Sequence, residues 1–568
     1  MVAIGIDFGT TNSVVAVNSK NGIEILPIDQ APAEWAPYGF DNVFPSVMAK
    51  DEHSRLCFGW EAKQKSVGRF DAVKRMFATQ LDVAVDDAGD ALAVEEVATM
   101  LFAELRRRAV NCGITPDQVV ITVPANSKGR ARHRTKLCAG MAGFEVLALI
   151  NEPTAAAMAY AQRHPESRQL LVFDWGGGTL DVTILHSVNG VFIEQASSGL
   201  PRSGGIDFDS RIEKIVRDSI PGLGQLTPEQ RHQLRLECEL AKIRLSTNDA
   251  TSIQLPDGQA FRLTRARFEE EIKGLLEESR QPIERCLKDL QIGPGAIDAL
   301  VLVGGTCRIP AVRKFVENIV QVNADPDINP MTAIGEGAAI AAGILSGEIT
   351  SSDFFVCLEH ALGTFTFDPM TGEQEFAEII GRGHKLPAQS KGSFFPVDPT
   401  TESVIVKVVE GDPDSTTPDF TVLKEWEVRL NPTYDEGSSR SFELQYDYDV
   451  DGILHVRATD DETGSLLLED DVSYGVATDK RQLKTISDRA KTAVNDGVIN
   501  KNASVQLDDP EATKLIEQAK VKVIPFLDES EAAPIQQAVD ALETADSASV
   551  SAKKAALKSL LLPHSYLF

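Results

Sequence analysis

Ile4-Gly5-Ile6-Asp7-Phe8-Gly9-Thr10-Thr11-Asn12-Ser13 and Val172-Phe173-Asp174-Trp175-Gly176-Gly177-Gly178-Thr179 decide the fold. Each is an apolar strand that ends in an aspartate and runs through a Gly- and Thr-rich turn into a second apolar strand, Ser13–Val17 in one case and Leu180–Leu185 in the other. One Asp-x-Gly-Thr-Thr alone is ordinary turn chemistry. Two copies of one design imply two similar lobes that face a shared cleft.

Such turns suit a nucleotide. A triphosphate needs backbone N–H groups around its oxygens, a divalent cation, and a group that places the attacking water. The chain contains no G-x-x-x-x-G-K-[ST], so it is not a P-loop protein. Gly9 instead allows close backbone approach, with Thr10, Thr11 and Asn12 as donors. Gly176, Gly177, Gly178 and Thr179 would clamp the phosphates from the opposite lobe. Asp7 and Asp174, at strand ends, suit Mg²⁺ held through its waters, because that ion dehydrates reluctantly.

Outward from these motifs, strand and helix patterns alternate as far as about Gly347, which argues α/β architecture. Gln118–Val123 and Ala299–Val303 read as strands. Arg130–Gly143, Thr154–Arg163, Thr227–Ser246, Thr264–Leu290 and Pro310–Val320 read as helices. The turn Gly304-Gly305 offers backbone on which a flat base can lie, and Arg308 either stacks on that base or is an ordinary surface arginine. Glu239, Lys242 and Ser246 share a helix face suited to ribose and adenine, although an amphipathic face with a charge pair has the same spacing. The basic run Arg130, Arg132, His133, Arg134 and Lys136 reads as a solvated helix face.

Composition excludes several classes. The net charge of −28 repels nucleic-acid phosphates and anionic lipid, so neither is an expected partner. Seven dispersed cysteines without a C-x-x-C pair suit free thiols in a reducing compartment, and no His/Cys spacing suggests a zinc site. No apolar run approaches a membrane span and the N-terminus lacks the features of a signal peptide, so cytoplasmic residence is expected.

Past residue 346 the character changes. A polar patch leads into Phe354-Phe355-Val356-Cys357-Leu358, which reads as an interdomain linker. Strand and turn material follows, with Val404–Val409 and Ile453–Ala458 the clearest strands. From about Thr478 the chain is Ala-, Lys- and Leu-rich and reads as several helices. The expected division is residues 1–346, 347–360, 361–475 and 476–568.

IGIDFGTTNSVVAV, VITVPA, INEPTAAAMAYA, VFDWGGGTLDVTI, GGIDFDSRI, ELAKIRLS and VLVGGTCRIP resemble, in order, the motifs of the DnaK-type heat-shock 70-kDa chaperones. KLPAQSKGSFFPV, VIVKVVEGD and YDVDGILHVRATDDETG are similar to that family's substrate domain. The resemblance implies an actin-like (ribonuclease H-like) ATPase domain, a β-sandwich peptide-binding domain and a short α-helical lid. It implies ATP/ADP and Mg²⁺ as cofactors, with K⁺ as an accessory ion. Asp7 and Asp174 match the Mg²⁺-organising aspartates, Lys74 the lysine that steadies the γ-phosphate and its water, Glu152 the cleft glutamate and Thr179 the threonine beside the γ-phosphate. Gly204 and Gly205 fall in the GGIDF motif at the phosphates. Glu239, Lys242, Ser246, Gly304, Gly305 and Arg308 match the adenosine pocket, and Pro124 and Arg132 the pair that relays nucleotide state. Thr364, Phe367, Phe394, Val404 and Val406 align with the peptide pocket, and the last two equally fit a buried strand face.

The resemblance further implies a monomer whose ATP cycle opens and closes a groove for extended apolar segments of unfolded proteins. J-domain co-chaperones and a nucleotide-exchange factor are the implied partners. The chain departs from the pattern at Val356, where an Asp is expected, at Ala148, where many relatives carry an arginine for J-domain partners, and at Met331, which replaces a cleft Asp. Asn126-Ser127-Lys128-Gly129 replaces an aromatic pair, and the lid is short. These departures suit a specialised bacterial paralogue. The alternative is a nucleotide-binding relative that serves one dedicated partner as scaffold or exchange factor without a peptide cycle. A filament protein or sugar kinase of the same ATPase fold is disfavoured by everything after Leu362.

Overall fold

The protein is described here by a computed structural model. It covers residues 2–499, apart from 52, 78–82, 87–90, 126, 189–190, 201–202, 221–222, 224–225, 351–357, 359, 369–370, 383, 386, 398–400, 412, 414–419, 432–439, 450–453 and 473–479. Beyond these, it describes 515, 519, 534–539, 542 and 550–562.

The first Asp–Gly turn closes a hairpin of Val2–Phe8 with Asn12–Ser19, in antiparallel register from Ile4↔Val17 to Phe8↔Ser13. Val2–Phe8 also pairs in parallel with Pro116–Val123, which pairs in parallel with Glu145–Asn151. The second turn closes the hairpin of Gln169–Trp175 with Leu180–Val188. Val191–Leu200 extends it antiparallel and Ala299–Val303 joins the other edge in parallel. Two mixed sheets are thus built on the same hairpin, as the repeated motif predicts.

Helices cover both faces of these strands, so the strands are continuous apolar runs rather than alternating ones. Val14, Val15, Ala16 and Val17 are all buried. The Ala- and Gly-rich helix Ala333–Leu345 explains how the sheets are held together. A Cβ on Gly5 would fall 2.1 Å from the backbone nitrogen of Ala339, and one on Gly337 would fall 1.8 Å from the carbonyl oxygen of Ala155. Only residues this small let the helix lie directly on the strand Val2–Phe8 and on the helix Glu152–Ala161. One apolar cluster, including Val120, Val172, Val303 and Ile334, draws on both sheets and forms the floor of the cleft.

Two sequence expectations need correction. Thr264–Leu290 is not one helix but two, Arg265–Glu271 and Lys273–Asp289, which meet at Ile272. The basic run is not a solvated face: on the helix Gly129–Met141, Arg132 and Arg134 are buried. Arg134 lies 2.8 Å from Glu95 and donates to the Met76 carbonyl at 3.1 Å. A guanidinium can be buried when it is paired, and its partners here come from distant parts of the chain.

The apolar linker segment 354–357 lies outside the described residues. Beyond it stand two four-stranded antiparallel sheets. One orders Gln374–Ile380, Ala361–Phe367, Ser403–Gly411 and Thr421–Arg429; the other orders Ala388–Phe394, Phe442–Tyr448, Leu454–Asp460 and Leu466–Val472. Phe442–Tyr448 alternates buried and half-buried residues with the period of two expected of a strand with one wet face. Leu362, Val406, Leu444, Tyr446 and Val456 from both sheets share one core. The Tyr446 hydroxyl donates to the Gly363 carbonyl at 2.9 Å and ties the sheets together.

The helix Lys480–Asp496, which follows the two sheets, lies on the first lobe. Ala490, Ala493 and Val494 join that lobe's core, Arg489 pairs with Glu96 at 3.1 Å, and the Ser487 hydroxyl donates to the Met141 carbonyl at 2.7 Å. Among the described residues no helix is long and apolar enough to cross a membrane.

Candidate nucleotide site

The two glycine turns face each other across the cleft. The second turn folds on itself through Gly176 N–H to the Thr179 carbonyl at 3.1 Å. Its first two carbonyls are engaged on their own lobe: Gly176 accepts from Gly205 N–H at 2.9 Å and from the Thr306 hydroxyl at 2.9 Å, and Gly177 accepts from Ile206 N–H at 3.0 Å. Gly204 sits so tightly beneath the turn that a Cβ there would fall 2.4 Å from the Gly177 carbonyl carbon. The turn is therefore buttressed by the start of the helix Gly205–Ser219.

A cavity of about 80 Å³ between the turns is lined by Asp7, Thr10, Thr11, Asn12, Lys74, Pro124, Glu152, Asp174, Gly176 to Gly178, Thr179, Gly304 and Gly305. Every catalytic residue predicted from sequence is in that set. Lys74 Nζ donates to Glu152 Oε1 at 2.6 Å. Lys74 is carried on the short helix Val73–Met76, whose preceding residue Ala72 is held at φ 51°. A non-glycine residue there stores backbone strain of order 1–3 kcal/mol, which the surrounding structure must hold in place.

The electrostatics of the cavity are those of a cation site. Burial, then the charge of Glu152, push Asp7 up to about 7, against the pull of Lys74 and the Thr122 hydroxyl bond at 3.1 Å. Burial, then Glu152, Asp181 and Asp7, push Asp174 well above the carboxylate range. Buried carboxylates that repel one another and have one lysine among them fit a divalent ion, which would favour their charged forms. Asp181 is a member that sequence reading missed; it lies directly opposite Asp174 in strand register.

A larger cavity of about 380 Å³ continues outward, past Gly205, Glu239, Lys242, Gly305 and Met331. Here the predicted adenosine residues are engaged with one another's neighbours. Lys63, stacked over Trp35 and Trp60, donates to Glu239 at 2.8 Å. Although burial opposes it, Lys63 and then Lys242 hold Glu239 below its ordinary value. Lys242 pairs with Asp209 at 2.8 Å and donates to the Gly205 carbonyl at 2.9 Å. Ser246 does not line either cavity; its hydroxyl donates back to the Lys242 carbonyl at 3.3 Å. Arg308 also stands outside both, bonded to the Tyr38 carbonyl of the facing lobe. Ile243 and Met331 give this cavity an apolar wall; the sequence placed Met331 in the cleft but gave no role to Ile243.

Arg75 was missed as well. Its Nη2 crosses from the first lobe to the Gly178 carbonyl at 2.8 Å and stands 3.7 Å from Asp207. No sequence pattern separates it from a surface arginine. Of the relay pair, Pro124 lines the smaller cavity, whereas Arg132 lies behind it, bonded to Asn151 next to Glu152.

The aligned peptide-pocket residues divide between inside and outside. Val406 and Thr364 are buried, Val404 and Phe394 are half-buried against the shared core, and Phe367 is exposed. Ala148 is buried in the strand Glu145–Asn151.

The family described as Hsp70 protein matches residues 64–565 of this chain. Among curated proteins, the chain is similar to three called chaperone protein DnaK. It is 34% identical over 481 residues to that of Thermosipho africanus, covering 81% of this chain and 78% of the relative. It is 32% identical over 476 residues to that of Cenarchaeum symbiosum (80% and 71%) and 32% identical over 480 residues to that of Methanothermobacter thermautotrophicus (81% and 78%). With a family match over most of its length and relatives of this identity and coverage, the chain belongs to the Hsp70 family of DnaK-type chaperones.

Proposed function

We propose that the cleft binds ATP with Mg²⁺ and that its two turns and the Lys74–Glu152 pair carry out the hydrolysis that powers this ATP-dependent chaperone. Thr10, Thr11, Asn12 and Gly176 to Thr179 hold the phosphates by backbone N–H and hydroxyl groups. Asp7 and Asp174 hold the ion through its waters. Mg²⁺ supplies charge neutralisation at the phosphates. Lys74 places positive charge at the γ-phosphate and orients the attacking water, while Glu152 fixes Lys74. Glu239 and Lys242 take the ribose, Ile243 and Met331 offer the base an apolar wall, and Arg308 closes over it when it leaves the Tyr38 carbonyl. Residues 1–346 form the actin-like engine, 361–475 the peptide-binding sandwich and 476–568 the lid, joined through 347–360. Cytoplasmic residence and use of J-domain and exchange-factor partners belong to the same reading.

The observation that carries it is the convergence of both glycine turns, the Lys74–Glu152 pair and two charge-stressed aspartates on one small cavity. The test is single-turnover hydrolysis and equilibrium ATP binding in Lys74→Ala. Hydrolysis should fall at least ~100-fold while ATP still binds. Hydrolysis at the wild-type rate would remove Lys74 from the chemistry.

A further inference from the structure

We propose that the cleft recognises a base by the faces of its ring and not by its edge, so that it binds and hydrolyses purine nucleoside triphosphates as a class, those of guanine and hypoxanthine as well as adenine. The inference deepens the nucleotide reading proposed above and rests on it. A Cβ added to Gly305 would meet Met331 Sδ at 3.3 Å. The thioether therefore lies across the backbone turn on which a flat base was expected to rest. Met331 is fixed from behind. Its N–H donates to Asn329 Oδ1 at 3.1 Å, and with Ile243 it packs against a cluster that includes Val14 of the first lobe and Leu240 of the second. Phe40 lines the same cavity and stands edge-to-face with Trp35 and Trp60, at ring-centroid distances of 5.5 and 5.9 Å. Phe40, Ile243 and Met331 thus offer the base a ring, a branched chain and a thioether. Every base has a π-face, so contacts of this kind tolerate its exchange, and a thioether adapts its shape to what it touches.

Adenine and guanine differ at the edge: adenine presents an amine donor where guanine presents a carbonyl acceptor, and guanine carries a second amine. The side chains expected to read that edge are held by the protein. Ser246 turns its hydroxyl to the Lys242 carbonyl and lines neither cavity. Lys242 is held by Asp209 and the Gly205 carbonyl, and Glu239 by Lys63. Thr306 donates to the Gly176 carbonyl at 2.9 Å. Arg308 is bonded to the Tyr38 carbonyl and, once freed, meets a base with its planar face. At the far rim Ser210 donates to the Ile206 carbonyl at 3.0 Å, Glu213 pairs with Arg217 at 2.7 Å, and Arg69 and His232 bond to each other. Asn12 Oδ1 has no partner, but Asn12 also lines the smaller cavity, at the phosphate end. A site that hydrogen-bonds one base rejects the other by 10⁴-fold or so, whereas an apolar pocket rejects a near-isostere by about 100-fold at most. Guanine is larger than adenine by one exocyclic group, for which a cavity of about 380 Å³ has room.

The chemistry is indifferent to the base, because Lys74, Glu152 and the two turns meet in the smaller cavity. With either triphosphate the water oxygen bonds to the γ-phosphorus. The bond from that phosphorus to the bridging oxygen breaks, and its electron pair leaves with the diphosphate. One proton of the water stays on the released phosphate and the other passes to solvent.

The experiment uses full-length wild type, Met331→Ala and Ser246→Ala. It measures Kd for ADP, GDP and IDP with Mg²⁺, by competition against a fluorescent ADP, and single-turnover hydrolysis of ATP and GTP. Wild type should bind the three diphosphates within about 100-fold of one another and hydrolyse both triphosphates at similar rates once they are bound. Met331→Ala should weaken ADP and GDP by the same factor, about 5- to 30-fold. Ser246→Ala should leave the ratio of the two affinities as it is. A stronger preference for ADP in wild type, a loss confined to ADP in Met331→Ala, or a shifted ratio in Ser246→Ala overturns the proposal, because the edge is then being read. If wild type binds neither ADP nor GDP, the nucleotide reading of the cleft is what fails, an outcome distinct from binding ADP alone.

Discussion

Replacing Gly177 by alanine isolates the pinch between the two lobes. A Cβ at Gly177 would lie 2.4 Å from Cγ2 and 2.5 Å from Oγ1 of Thr11, on the opposite turn. Carbon atoms rest about 3.5–4.0 Å apart, so the turns must separate by about 1 Å. A misplacement of that size at reacting groups can reduce a rate ~100-fold, about 2.7 kcal/mol in the barrier. The strain falls across an open cleft rather than in a core, so the fold should lose under ~1 kcal/mol. Gly176 is the internal control, because a Cβ there meets nothing closer than the Thr179 carbonyl at 3.9 Å. Gly178 is intermediate, with Arg75 Nε at 2.8 Å, the movable end of a side chain. None of the three glycines lies at positive φ, so backbone preference does not confound the series. Single-turnover hydrolysis should rank Gly177→Ala far below Gly178→Ala, and Gly178→Ala below Gly176→Ala. Equal rates for Gly176→Ala and Gly177→Ala would refute the pinch.

Three further predictions follow from the cleft and the sheets. Asp7 must ionise to help hold Mg²⁺, so Mg²⁺–ADP affinity should rise with pH up to about 7 and then level off. The unliganded fold goes the other way. The raised Asp7 lends stability that is complete below its ordinary value of 3.8 and is lost as pH rises through about 7. The thermal shift on adding Mg²⁺–ADP should therefore be larger at pH 8 than at pH 6, and equal shifts would count against this. Lys63→Met keeps the apolar stem but removes the 2.8 Å pair with Glu239 and the stacking on Trp35 and Trp60. A part-buried contact of this kind is worth ~1–2 kcal/mol, so ADP release in stopped flow should quicken about 5- to 30-fold. Tyr446→Phe strips the Gly363 carbonyl of its partner and should lower urea stability of the double-sheet unit by ~1–2 kcal/mol; an unchanged midpoint would mean the bond contributes nothing.

The cleft was legible because its chemistry is local. Asp7 with its turn, Asp174 with its turn, and the strand Ala299–Val303 before Gly304 each carry their structural cue within a few residues. What escaped reading depends on partners far along the chain. Lys74 had no local signal and came only from the family resemblance. Arg134 looked like surface because Glu95 and the Met76 carbonyl, which make its burial tolerable, lie 39 and 58 residues away. Arg308 offered itself as a base-stacking residue, and nothing near it in sequence indicates the Tyr38 carbonyl across the cleft. Asp181 needed the register of a hairpin, which a hydrophobic pattern does not record. Thr264–Leu290 kept a helical period through Ile272, so its break was invisible to periodicity.

The central claim is that nucleotide state controls the peptide groove. The most direct test follows release of a fluorescent apolar peptide from the full-length protein, by anisotropy, after mixing with Mg²⁺–ATP or with Mg²⁺–ADP. The account predicts release at least about tenfold faster with ATP, a coupling of roughly 1.4 kcal/mol or more between the two sites. Identical release with the two nucleotides would contradict it, leaving an ATPase whose cleft does not govern its peptide-binding unit.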